Sequence, residues 1–229
     1  MAMLELMDVC YGYGIKRDKK NVLNHISCGF EQGKLYAVIG KSGSGKSTLL
    51  SLLTGLDLPQ SGQILFEGTP TDKMDLNEYR RKCVAVVYQD FSLFPLLTAL
   101  ENIMYPMQLC NVGKEKARRD ALALSRLVSL PESMLDRYPG RMSGGEQQRV
   151  AIARALSMDR RLILGDEPTG NLDSENSSAF IPLMQKLAHE ENKCIIIATH
   201  DISVMESADE VYKIVDGQLS LYRNREEQR

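Results

Sequence analysis

The chain has 229 residues, of which 43% are hydrophobic and 25% charged, with a formal net charge of -2. That composition gives a globular protein with a sizeable core, and its charge balance offers no general attraction for nucleic acid, whose binding is largely set by phosphate neutralisation. The longest apolar runs, such as Leu35–Ile39 and Cys194–Ala198, fall far short of the roughly 18 residues that cross a bilayer. Residues 1–9 alternate apolar with acidic side chains and do not read as a secretory signal, so a cytosolic location is expected. The five cysteines are scattered and form no C-x-x-C pair, which fits thiols in a reducing compartment.

In chain order, residues 4–9 and 26–30 read as strands joined by a polar, glycine-containing stretch at 11–20, a small antiparallel β region. Apolar β-rich runs then alternate with helical patterns: Leu35–Ile39 before Gly40, residues 84–88 before Gln89, residues 162–164 before Gly165, and Cys194–Ala198 before Thr199. That alternation predicts a mostly parallel sheet covered by helices. Residues 98–129 turn helical without intervening strands. Thr98 and Glu101 form a capping-box pattern at the start, and Pro106 is expected to limit that first helix. The basic cluster at 114–119 is interrupted by Glu115 and followed by Asp120, which reads as a solvated helix face. The expected fold is α/β, with residues 1–97 and 155–229 as core and 98–154 as an inserted helical subdomain, all within one domain over 1–229.

Gly40, Lys41, Ser42, Gly43, Ser44, Gly45, Lys46 and Ser47 match G-x-x-x-x-G-K-[ST] between a predicted strand and a predicted helix at 47–54. Glycines let the backbone wrap a phosphate closely, and the helix adds the positive end of its dipole. In this setting Lys46 pairs with β- and γ-phosphates and the Ser47 hydroxyl ligates Mg²⁺. A glycine-rich turn without ligand is the bland alternative, and the rest of the chain argues against it.

Residues 161–167 form an apolar strand that ends in Asp166 and Glu167. Alternation along the strand would aim these two acids in different directions. Asp166 then suits a Mg²⁺ shell, since that ion keeps several waters and takes one or two carboxylates, and Glu167 suits the positioning of an attacking water. His200 follows the next apolar strand. A parallel neighbour would bring it to the same carboxyl edge, where ligands gather in open α/β sheets, within reach of a γ-phosphate.

Met142-Ser143-Gly144-Gly145-Glu146-Gln147-Gln148-Arg149 precedes a predicted helix to about Ala155. Ser143 and Glu146 fit a second capping box, and the glycines expose backbone N–H groups at the first turn, so this tip is a second anion-binding start. Together with residues 40–48, Gln89, residues 162–167, Asn171-Leu172-Asp173 and His200 in that order, it resembles the ATP-binding-cassette (ABC) ATPases over nearly the whole chain. The resemblance implies ATP and Mg²⁺ as ligands. It also implies a head-to-tail pair of copies in which Ser143, Gly144, Gly145 and Glu146 of one cap the nucleotide held by the phosphate loop, Thr48 included, of the other. By the same resemblance Tyr13 stacks on adenine, with Tyr11 as rival, Gln89 touches Mg²⁺ and water and senses a separate transmembrane permease, and Asp173 lies at the subunit interface. No nucleic-acid partner is implied, and the chain would sit on the inner face of the membrane through the permease. Met142, Glu146 and Gly165 replace the family's common leucine, glutamine and alanine. Glu146 adds negative charge near a phosphate-binding helix start.

More narrowly, residues 89–95, 97–103 and 166–174 resemble the branch of macrolide-export, lipoprotein-release and antimicrobial-peptide-resistance ATPases, which also includes ATPases that regulate cell-wall cleavage in division. A soluble ABC ATPase of cofactor assembly is the alternative from another class. A phosphate-loop kinase or switch GTPase leaves residues 143–149 unexplained.

Overall fold

In the computed structural model, described for residues 2–14, 20–170 and 174–224, the described residues form ten strands and seven α-helices. The strands are β1 (Leu4–Tyr13), β2 (Lys20–Phe30), β3 (Leu35–Ile39), β4 (Ser61–Phe66), β5 (Thr69–Pro70), β6 (Val84–Val87), β7 (Leu162–Asp166), β8 (Cys194–Ala198), β9 (Glu210–Val215) and β10 (Gln218–Asn224). The helices are α1 (Lys46–Leu53), α2 (Leu76–Lys82), α3 (Ala99–Leu109), α4 (Lys114–Leu127), α5 (Gly144–Leu156), α6 (Ser174–His189) and α7 (Ile202–Ser207). No helix among the described residues is long and apolar enough to cross a membrane.

Six strands form the central sheet in the order β10-β9-β3-β8-β7-β6, parallel from β9 to β6, with β10 antiparallel at the edge. The apolar runs of β3, β6, β7 and β8 are covered on both faces. The pleat sends Leu35, Ala37, Ala85, Val87, Ile163, Ile195 and Ile197 into one buried cluster with helices α3 to α7. The intervening Tyr36, Val38, Val84, Leu162, Leu164, Cys194, Ile196 and Ala198 pack on the other face against α1 and the antiparallel sheet β2-β1-β4-β5. The mostly parallel sheet, the N-terminal antiparallel sheet and the run of helices follow the fold class read from the sequence.

Three local expectations change. The β1–β2 ladder runs on past the apolar segments, pairing Tyr11 with Leu23, Gly12 with Asn21 and Tyr13 with Lys20, so both ends of the stretch read as a connection are strand. β4, β9 and β10 carry polar residues at exposed positions and were not evident as apolar runs. Pro106 does not stop α3, which continues to Leu109. Proline deletes one N–H and crowds the carbonyl four residues back, yet Ile103, Met104 and Met107 lie on the buried side of this helix and anchor the turn beyond it.

Ile196 sits fully buried in β8, between β3 and β7. Its replacement by Ala should lower unfolding stability by about 2–5 kcal/mol, whereas Ile202→Ala, at a position 67% exposed, should stay within about 0.5 kcal/mol. Equal midpoints for the two variants in urea unfolding would contradict this assignment of the core.

Candidate active site

Because β3, β8, β7 and β6 are parallel neighbours, the loops that follow them leave from one edge. Val38 pairs with Ala198, Ala198 with Asp166, and Gly165 with Val87, so Gly40, His200, Glu167 and Gln89 all emerge there within a few residues of a paired position.

The phosphate loop turns on its glycines. Gly45 is the N-cap of α1 and adopts φ 110°, a left-handed conformation that glycine alone takes at little cost. At Gly40 an added Cβ would lie 2.5 Å from Ser44 Oγ and 2.8 Å from the Ile214 carbonyl oxygen, so any side chain would fill the hollow of the loop. Lys46 folds back to donate to the Gly40 carbonyl at 2.9 Å. Ser44 Oγ is buried without a hydrogen-bond partner, a donor that a phosphate oxygen would satisfy. A glycine cradle, an unpaired hydroxyl, a lysine and a helix start make a pocket that fits a nucleotide's phosphates.

Opposite charges face the loop. Ser47 Oγ donates to Asp166 Oδ1 at 3.2 Å. Burial pushes the Asp166 carboxyl above the usual carboxylate range, the Ser47 hydrogen bond pulls it back, and the neighbouring charges of Glu167 and Lys46 act in opposite senses. The Ser47 hydroxyl and Asp166 carboxylate are the oxygen donors suited to Mg²⁺. Glu167 Oε1 lies 3.7 Å from Lys46 Nζ. Its Oε2 meets His200 Nδ1 at 2.9 Å and accepts the His200 backbone N–H at 3.3 Å.

The two acids do take separate partners, but for a different reason from strand alternation. Glu167 has φ 46°, so the chain leaves the strand there in a left-handed turn while its N–H still donates to the Ala198 carbonyl at 2.9 Å. Such a residue costs about 1–3 kcal/mol and is held by its surroundings. Gly170 N–H closes the turn onto the Glu167 carbonyl at 3.0 Å. Gln89 lies against this turn, since a Cβ added to Gly170 would stand 3.3 Å from Gln89 Nε2.

Near the start of α1, the Tyr13 hydroxyl is 3.3 Å from Thr48 Oγ1 and its ring is 52% exposed. Tyr11 packs edge-on against it at 5.2 Å and is the more buried of the two. Desolvation, then the charge of Asp57, raises the Tyr11 pKa. Of the two tyrosines, Tyr13 therefore has the freer face.

The α5 tip is built by a complete capping box. Ser143 Oγ accepts the Glu146 N–H at 3.3 Å, and Glu146 Oε2 accepts the Ser143 N–H at 2.7 Å. Ser143 is exposed, Gly144 and Gly145 are partly so, and among the described residues no hydrogen bond or ion pair joins this tip to the phosphate loop of its own chain. Asp173 lies outside the described residues. Sequence reading overlooked Asn102 and Arg154, which hold the segment after Gln89. The Asn102 amide bonds the backbone of Phe94, Leu97 and Thr98, and the Arg154 guanidinium bonds the carbonyls of Phe91 and Ser92. No spacing in the sequence assigns either side chain this role.

The family model described as ABC transporter matches residues 23–170. The chain belongs to the ABC transporter family. It is an ATP-binding cassette ATPase. An uncharacterized ABC transporter ATP-binding protein of Bacillus subtilis (strain 168) is 37% identical over 224 residues, covering 98% of each chain. The lipoprotein-releasing system ATP-binding protein LolD of Syntrophotalea carbinolica is 38% identical, covering 96% of this chain and 97% of its own. Among solved structures, a dimeric ABC transporter cassette from Methanocaldococcus jannaschii superimposes with a TM-score of 0.90 at 35% identity, over 97% of this chain and 100% of that one. The same cassette in a dimeric post-hydrolysis state bound to ADP and Pi also gives 0.90, at 34% identity.

In this cassette the capping box explains how a glutamate is tolerated at position 146, because its carboxylate is tied to the Ser143 N–H. Glu146→Gln keeps an oxygen acceptor there and should leave stability within about 0.5 kcal/mol, whereas Ser143→Ala removes the cap and should cost about 1 kcal/mol. Thermal unfolding of both variants checks this ordering, and a larger loss for Glu146→Gln would contradict it.

Proposed function

We propose that the cassette hydrolyses Mg²⁺-ATP as a head-to-tail dimer and drives a separate membrane permease, in a transporter of the macrolide, lipoprotein or peptide export type. The observation that carries this reading is the convergence of Lys46 and His200 on Glu167 beside the Ser47–Asp166 pair, with the glycine-rich α5 tip unengaged by its own phosphate loop. In this reading residues 1–97 and 155–229 form the nucleotide-binding core, and 98–154 the helical subdomain.

Backbone N–H groups of residues 40–48 and the Lys46 ammonium bind the β- and γ-phosphates, and Tyr13 stacks on adenine. Ser47, Asp166 and Gln89 hold Mg²⁺, which when bound neutralises charge on the phosphate oxygens. Glu167 orients the attacking water and polarises it toward the γ-phosphorus. His200, held against Glu167 through Nδ1, contacts a γ-phosphate oxygen through Nε2. Ser143 and Gly145 of a second copy close the other side of that phosphate, with Asp173 at the interface between copies.

Two findings support the permease as a partner. Phe94 and Leu96 in the segment after Gln89 are 41% and 86% exposed, apolar surface of the kind that partners cover. Curated relatives include lipoprotein-releasing ATP-binding proteins, which supports the export branch. Held by such a permease, the cassette would work at the cytoplasmic face of the membrane.

Glu167→Gln preserves shape and hydrogen-bonding reach but removes the carboxylate charge. Its steady-state ATPase rate should fall by roughly 100-fold or more, while ATP affinity, measured by calorimetry, stays within a few-fold of the parent. Parental turnover in this variant would remove Glu167 from the proposed role.

A further inference from the structure

Gln89 sits at the end of β6 against the turn that carries Glu167, and the chain that leaves it is shaped by contacts with helices. Phe91 and Ser92, two consecutive residues that are not glycine, have φ of 60° and 46°. Isolated, they would relax toward extended or right-handed conformations. Their carbonyls are fixed by one side chain. Arg154 Nη2 donates to the Phe91 oxygen at 2.9 Å and Nη1 to the Ser92 oxygen at 2.6 Å. The guanidinium also lies 6.0 Å from the centre of the Phe94 ring, and that ring packs on Tyr105 of α3 at 4.6 Å.

Arg154 is a residue of α5, the helix whose N-cap is Ser143. One helix therefore presents Ser143 at its N-cap and grips the Gln89 segment three turns later. A planar fork with several donors suits two adjacent carbonyls, which a lysine ammonium cannot hold in the same geometry. Burial opposes the guanidinium charge and lowers its pKa, and the nearby Tyr88 and Asp90 act in the other direction.

We propose that Arg154 is a positioning residue for Gln89: it locks the backbone at residues 91–92 to the signature helix, so that Gln89 is set against the Glu167–Gly170 turn according to where α5 lies. The inference rests on the reading of Gln89 as a ligand of the hydrolytic site. It makes the helix that offers Ser143 to one nucleotide also place the glutamine at the other, through a contact inside a single chain.

A double-mutant cycle tests this. ATPase kcat and KM are measured for the full chain, for Arg154→Lys and Arg154→Met, for Gln89→Ala, and for each combination, with thermal unfolding recorded alongside. Each Arg154 variant should lower kcat by about 10-fold with KM within two-fold, and adding it to Gln89→Ala should cause little further loss, because both act through one group. A purely structural role would instead multiply the two defects or raise KM as kcat falls, and either result overturns the proposal. Parental kcat in Arg154→Lys, or loss of the folded state in both Arg154 variants, also overturns it, assigning the residue to stability alone. Parental activity in Gln89→Ala removes the reading of Gln89 itself, which the cycle thereby separates from failure of the Arg154 link.

Discussion

Parallel pairing of β3, β8, β7 and β6 is the constraint on which the site depends. Each strand was apolar for its own reason, namely burial on both faces, but pairing them in one direction forces their carboxyl ends to a common edge. A lysine and serine that follow β3 thereby meet two acids that end β7, 119 positions apart in the case of Ser47 and Asp166. No local preference of the chain brings these groups together. The sheet does so, and the energy that holds it comes from the two clusters on its faces rather than from the charges at its rim.

Those charges are arranged to oppose one another. Two adjacent carboxylates would repel, yet Asp166 is hydrogen-bonded by Ser47 while Glu167 is held by Lys46 and His200. The left-handed turn at Glu167 separates the two acids without removing either from the edge. A left-handed backbone at a residue other than glycine is strained, and here it has a visible geometric result: two neighbouring acids with different partners.

Much of the fold was legible because apolar runs of four to six residues, bounded by glycines and polar turns, announce buried strands. The phosphate loop was legible because its glycines answer a steric demand that only glycine meets, as the crowding around Gly40 makes plain. Less was legible where tertiary contact overrides a local rule. Pro106 should have ended α3, and buried Met107 carried the helix past it. Strand alternation alone does not part Asp166 from Glu167; a backbone turn does so. Arg154 and Asn102 were invisible because their partners are backbone carbonyls and amides in another segment, which leave no trace in residue spacing. Exposed strands such as β10, with polar side chains at most positions, gave no apolar signal at all.

Among the described residues the α5 tip is capped, glycine-rich and makes no hydrogen bond or ion pair with the phosphate loop of its own chain, and two solved cassettes that superimpose on this chain with TM-scores of 0.90 are dimeric. In the proposed dimer one nucleotide is gripped by two copies. The most direct measurement is the solution mass of the Glu167→Gln chain by multi-angle light scattering, with and without saturating Mg²⁺-ATP. The expected mass is that of one chain without nucleotide and of two with it, and the doubled mass should be lost when Ser143 is also replaced by a bulky acid. A single-chain mass at saturating ATP would contradict that dimer.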